Sequence, residues 1–207
     1  MARWLTLTVV VVALAACGSS AAVTSSAALK LCGPRGAHTL ASSTGARVYA
    51  QGGSVYACSR SNGRFYRLGD ARQCVAGARV GPAAAAGGVV AYAVERCGVD
   101  TATASVVVRR VSDGNQLARH AAFAGPPGPE SFQAVGSIVV NRRGRAAWIT
   151  STHSVVSHHL SVQVIEASGS GARVLASGGT IAPDSLRLHD SRLTWTAGGQ
   201  RHSATLS

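Results

Sequence analysis

Gly87-Gly88-Val89-Val90-Ala91-Tyr92-Ala93 sets a glycine turn directly before a short apolar run with an aromatic near its centre. The same arrangement occurs at Thr44-Gly45 before Arg47-Val48-Tyr49-Ala50, and at Arg143-Gly144 before Ala146-Ala147-Trp148-Ile149. A fourth copy, Leu193-Thr194-Trp195-Thr196, follows His189-Asp190-Ser191 in place of a glycine turn. The four aromatics stand 43, 56 and 47 residues apart. In the first three copies two more strand-like runs follow the aromatic run, joined by a glycine turn. Four short runs over roughly 40–55 residues make a four-stranded antiparallel meander, the unit that propellers repeat.

Outward from these copies the period of the chain is 2, not 3.6, and no stretch after Lys30 carries a helical apolar stripe. The connecting turns are specific. Gly52-Gly53 joins residues 47–51 to 54–60, and Asn62-Gly63 joins that run to 64–68. Asp113-Gly114 joins 104–111 to 115–121, Ser168-Gly169-Ser170-Gly171 joins 160–167 to 172–177, and Gly198-Gly199 joins 191–197 to 201–206. Such dipeptides supply the positive φ that tight hairpins need. Each repeat aromatic lies among Val, Ala or Leu, so it is expected in the core rather than on a ligand platform.

On these residues the chain resembles β-propeller repeats over about residues 37–206, without a Trp-Asp signature or a cofactor motif. The expected fold is all-β: a small, about four-bladed, propeller-like array of antiparallel meanders. An open β-meander or a sandwich is the alternative. Pro126-Pro127-Gly128-Pro129 separates the second and third copies as a linker. The fourth copy is one strand short at Ser207, and Leu29-Lys30-Leu31 is expected to supply it and close the array.

The N-terminus carries a different signal. Arg3 precedes an apolar stretch from Trp4 to Ala16 centred on Val9-Val10-Val11-Val12. Thirteen helical residues reach only about 20 Å, short of a hydrocarbon core of about 30 Å, so residues 1–16 read as a signal peptide. Leu14-Ala15-Ala16-Cys17 resembles the lipobox of bacterial lipoproteins. The resemblance implies that Cys17 receives a diacylglycerol on sulfur, with palmitate-type acyl chains, and becomes the new N-terminus. With the repeats, the whole is similar to repeat lipoproteins of high-GC bacterial envelopes. Residues 17–28 are small and polar, a tether, and residues 29–207 form the β-repeat domain. The implied location is the extracytoplasmic face of the cell membrane; secretion after cleavage at a later alanine is the alternative.

Beyond Cys17 four cysteines remain: Cys32, Cys58, Cys74 and Cys97. An exported chain folds where disulfides persist, so two bridges are expected. None of the four forms a Cys-x-x-Cys pair, which argues against zinc and redox roles. Three connectivities exist, and Cys32–Cys58 with Cys74–Cys97 closes the more local loops.

The formal net charge of +12 comes from nineteen arginines and Lys30 against eight carboxylates. The arginines are scattered, as the coding bias of a GC-rich genome would scatter them; an anionic partner such as a phospholipid headgroup or an acidic envelope polymer is the alternative source of the charge. Nucleic acid is not an expected partner, since basic residues are not interleaved with exposed aromatics. Without a lysine behind glycines there is no P-loop. Gly-x-Ser-x-Gly, Ser-x-x-Lys, His-Glu-x-x-His and acidic calcium loops are absent too. Asp113 and Asp190 read as turn residues, and Glu95 and Glu166 as polar strand ends. His153, His158 and His159 read as an exposed polar loop rather than a metal site, because no carboxylate or cysteine accompanies them. His189 and His202 read as surface residues. No catalytic, cofactor or metal residues are assigned. The expected function is a non-catalytic binding or scaffold module of the envelope, membrane-anchored, with a protein, peptide or glycan as ligand. An envelope hydrolase or lyase with a site assembled from distant residues is the alternative.

Overall fold

The computed structural model describes residues 32–72, 77–126, 128, 130–169 and 171–207. Signal peptide, Cys17, tether, Leu29-Lys30-Leu31, Cys74, Pro127 and Pro129 lie outside the described residues. Every regular element among the described residues is a β-strand.

The strands fall into antiparallel meanders. The first contains β1 (His38–Ser42), β2 (Ala46–Gln51), β3 (Ser54–Ser59) and β4 (Phe65–Asp70). The second contains β5 (Gly77–Ala86), β6 (Val89–Cys97), β7 (Ala102–Arg110) and β8 (Gln116–Ala121). The third contains β9 (Ser131–Val140), β10 (Ala146–Ser154), β11 (Leu160–Ser168) and β12 (Gly171–Ser177). The fourth has three strands: β13 (Arg187–His189), β14 (Arg192–Ala197) and β15 (Gln200–Thr205). Parallel bridges Asp70–Arg79 and Ala102–Phe132 join the first three into one 12-stranded mixed sheet. The fourth is a sheet of its own.

The turn residues act as their chemistry dictates. Gly52 and Gly53 have φ of 56° and 78°, and Gly198 and Gly199 have 56° and 79°. In the fourth copy Asp190 takes φ of 55°, a region that Asx side chains tolerate better than most. Leading turns of successive copies stack. Ser43 Oγ donates to the Gly87 carbonyl at 2.7 Å. A Cβ on Gly45 would lie 2.7 Å from that same carbonyl group, so glycine there is required by close approach, not by φ.

Strand alternation then sorts the side chains between faces. Val48, Val55 and Ala57 of the first meander pack with Val90, Tyr92 and Val107 of the second. Ala91, Val106 and Val108 leave the opposite face of the second and pack with Val135, Trp148 and Ile165. Ile149, Val162 and Val164 pack with Leu186, Leu193 and Trp195 of the fourth. Three apolar layers therefore separate four meanders. The first strands stack as well: β1 on β5, β5 on β9, β9 on β13. No comparable packing joins β13 to β1 among the described residues.

Tyr92, Trp148 and Trp195 each face the preceding meander and are 3%, 0% and 6% exposed. Among the described residues no meander precedes Tyr49. The segment around Cys32 covers it instead: Cys32 bridges Cys58 on β3 with a Cα–Cα distance of 5.4 Å, and Tyr49 is 5% exposed. Arg47 ties this cover down through the Cys32 and Ala37 carbonyls. At the other end, the face of the fourth meander opposite Leu193 and Trp195 carries Arg192, Thr194 and Thr196. Among the described residues, the outer face of the first meander is thus covered by a disulfide-held segment, and the outer face of the fourth is polar.

Two local readings need correction. Glu95 and Glu166 do lie near the ends of β6 and β11, but they are buried. They are 4% and 5% exposed, within β6 and β11, and pair with Arg79 and Arg173 at 2.6 Å. Strand alternation turns both carboxylates inward, and an arginine from the neighbouring strand neutralises each. His153 is not in a loop but in β10, opposite Leu160. The hairpin begins only after Ser154, where His158 takes φ of 52°.

Candidate functional site

The carboxylates are largely committed to structure. Arg67 pairs with Asp70, Arg79 with Glu95, Arg110 with Asp113 and Arg173 with Glu166. Asp113 also accepts from the Asn115 backbone N–H in the β7–β8 turn, and that bond, with Arg110 beside it, holds its carboxyl below the usual range. Ser207 Oγ reaches Glu166 Oε1 at 3.1 Å. Among the described residues no three of the histidines, cysteines and carboxylates gather as a metal site would require. His120, which drew no attention in the sequence, stacks on Trp148 with ring centroids 6.2 Å apart. His202 stacks on Trp195. Both imidazoles sit over core indoles.

The more distinctive feature is a groove of about 270 Å³ on the flank of the second meander, where the chain crosses from β8 to β9. Its floor is β6, β7 and β8, and its far wall is the Ala121–Gly125 crossing with Phe123. Register builds the floor. Arg96 lies opposite Thr103, and Ser105 opposite Ala121. Arg119 reaches forward along β8 toward Ala121, and its guanidinium donates to Ser105 Oγ at 3.1 Å. Two arginines and two hydroxyls therefore line one face. Gln133 of β9 enters from beneath, 6% exposed. None of these residues was singled out from sequence. The signal is weak, because scattered arginines acquire a common face only once three strands are in register.

The predicted cysteine pairing holds at Cys32–Cys58. Cys97 is disulfide-bonded as well, and Cys74, its expected partner, lies outside the described residues.

No family model matches the chain, and no curated protein matches it. Among solved structures it is similar to a subtype N10 neuraminidase-like protein of A/little yellow-shouldered bat/Guatemala, at 11% identity and a TM-score of 0.43. That match covers 81% of this chain and 52% of the other, so the chain spans about half the length of the structure it matches.

Proposed function

We propose that the chain is an exported, lipid-anchored protein of a bacterial envelope whose β-repeat domain is a non-catalytic binding module. The observation that carries this reading is the Cys32–Cys58 bridge. A buried disulfide suits an oxidising compartment, and it sits at the point where the tether from Cys17 meets the domain. The bridge fastens the anchored end of the chain to the outer face of the first meander, so a pull on the tether loads a covalent link rather than a strand edge. We further read the array as an open, propeller-like fan of four meanders, with two unlike end faces. Its flank carries the groove at Arg96 and Arg119, which offers donors to a ligand rather than a nucleophile to a substrate.

Metabolic labelling with a fatty-acid probe tests the anchor. The wild type is expected to take up label and Cys17→Ser is not. Equal labelling of both, or none in either, overturns the reading.

A further inference from the structure

Building on the reading as a binding module, we propose that the groove between β6–β8 and the Ala121–Gly125 crossing binds an oxyanion, the phosphate or carboxylate group of its ligand. Its polar lining offers donors. Arg96 on β6 and Arg119 on β8 stand on one face of the second meander, on either side of β7, and no ion pair engages either among the described residues. Elsewhere Arg67, Arg79, Arg110 and Arg173 each find a carboxylate. Two guanidiniums lining one groove without a counter-charge leave it positive, and an oxyanion bound there gains charge-assisted hydrogen bonds.

Gln133 makes the site specific. The backbone N–H of Ala104 donates to its Oε1 at 3.1 Å. A backbone N–H can only donate, so the carboxamide oxygen is fixed inward and the NH₂ group is left for the groove. Gln163 shows the contrast: its Oε1 accepts from Ala124 N–H while its Nε2 donates to the Ala124 carbonyl, so both ends are spent. Gln133 spends one end and is nine-tenths buried. A held carboxamide donor below two arginines, with the Thr103 and Ser105 hydroxyls between, complements the oxygens of a phosphate. Phe123 and Ala104 on the wall give the rest of the ligand an apolar surface.

The test follows the Gln133 side-chain NH₂ resonances of the full chain in non-ionic detergent. Inorganic phosphate is titrated against chloride at constant ionic strength, so that general screening is held fixed. A saturable shift is expected. Arg96→Gln and Arg119→Gln should each weaken it roughly tenfold, the usual loss for one charge-assisted hydrogen bond. Gln133→Glu keeps the acceptor for Ala104 N–H but replaces the NH₂ donor with a negative charge; followed through the Ala104 backbone amide resonance instead, it should abolish the phosphate-dependent shift with the fold intact by circular dichroism. Arg143→Gln, in the β9–β10 turn, should change nothing. No saturable shift, or equal weakening by Arg143→Gln, overturns the proposal. Nanodiscs separate the sources of the oxyanion. A shift on adding phosphatidylglycerol to phosphatidylcholine discs assigns a lipid headgroup, and a shift with free phosphate alone assigns a soluble ligand. Fatty-acid labelling at Cys17 is independent of all these outcomes, so failure of the groove and failure of the anchor are told apart.

Discussion

The indole N–H of Trp148 donates a 2.7 Å hydrogen bond to the backbone carbonyl of Ala122, across the boundary between the second and third meanders. Both residues are fully buried. The bond fixes where the chain leaves β8 and therefore where the Ala121–Gly125 wall of the groove stands. Trp195 fills the corresponding place between the third and fourth meanders, but its Nε1 is buried without a partner.

That difference separates two substitutions. Trp148→Phe leaves the Ala122 carbonyl unsatisfied and should cost about 1–3 kcal/mol. Trp195→Phe removes an unpaired donor and should cost less than about 1 kcal/mol. Trp148→Ala and Tyr92→Ala should each cost about 3–5 kcal/mol through cavity formation. Urea denaturation monitored by circular dichroism measures all four, and equal losses for the two Phe variants would refute the distinction.

The disulfide closes a loop with a sequence separation of 26. Constraining that loop in the unfolded chain is worth about 3–4 kcal/mol. Replacing Cys32 and Cys58 together by alanine should lower stability by that amount and expose Tyr49. Intact mass before and after reduction should show both bridges of the domain; four free thiols in protein taken from the envelope would contradict export.

Gly45→Ala drives a methyl into the Gly87–Gly88 peptide and should cost about 1–3 kcal/mol by forcing the stacked turns apart. Gly88→Ala, where a Cβ meets open space, should stay within about 0.5 kcal/mol. Thermal midpoints of the two variants decide whether turn stacking holds the meanders in line.

Burial raises the Tyr49 phenol above its ordinary value, the nearby Tyr56 adds to the shift, and Arg47 opposes it. A raised value means that folding favours the neutral phenol. Its contribution is whole below the unfolded value of about 10 and is lost as pH rises through the folded one. Tyr49→Phe should therefore lose less stability than the wild type as pH rises above about 10. Parallel losses in both proteins would assign alkaline sensitivity to other groups.

The repeat was legible because its code is local. A glycine turn, an alternating apolar run and an Asn-Gly or Gly-Gly hairpin each act within a few residues, so the strand runs predicted between residues 47 and 206 have counterparts within a residue or two. The burial of Tyr92, Trp148 and Trp195 followed from their apolar neighbours. The Cys32–Cys58 pairing followed from sequence distance. Other facts depend on which strand lies beside which. Glu95 and Glu166 looked polar until the arginines of β5 and β12 came into register with them. Tyr49 matched the other repeat aromatics in sequence yet faces a disulfide-held segment rather than a meander, because position in the array, not the local run, decides what a face meets. Arg96, Arg119 and Gln133 come from three strands of two meanders, 23 and 14 residues apart along the chain. Periodicity says which side of a strand each occupies. Only the lateral register of the sheet and the crossing from β8 to β9 set their donors around one groove, and those depend on long-range packing that no local run of residues encodes.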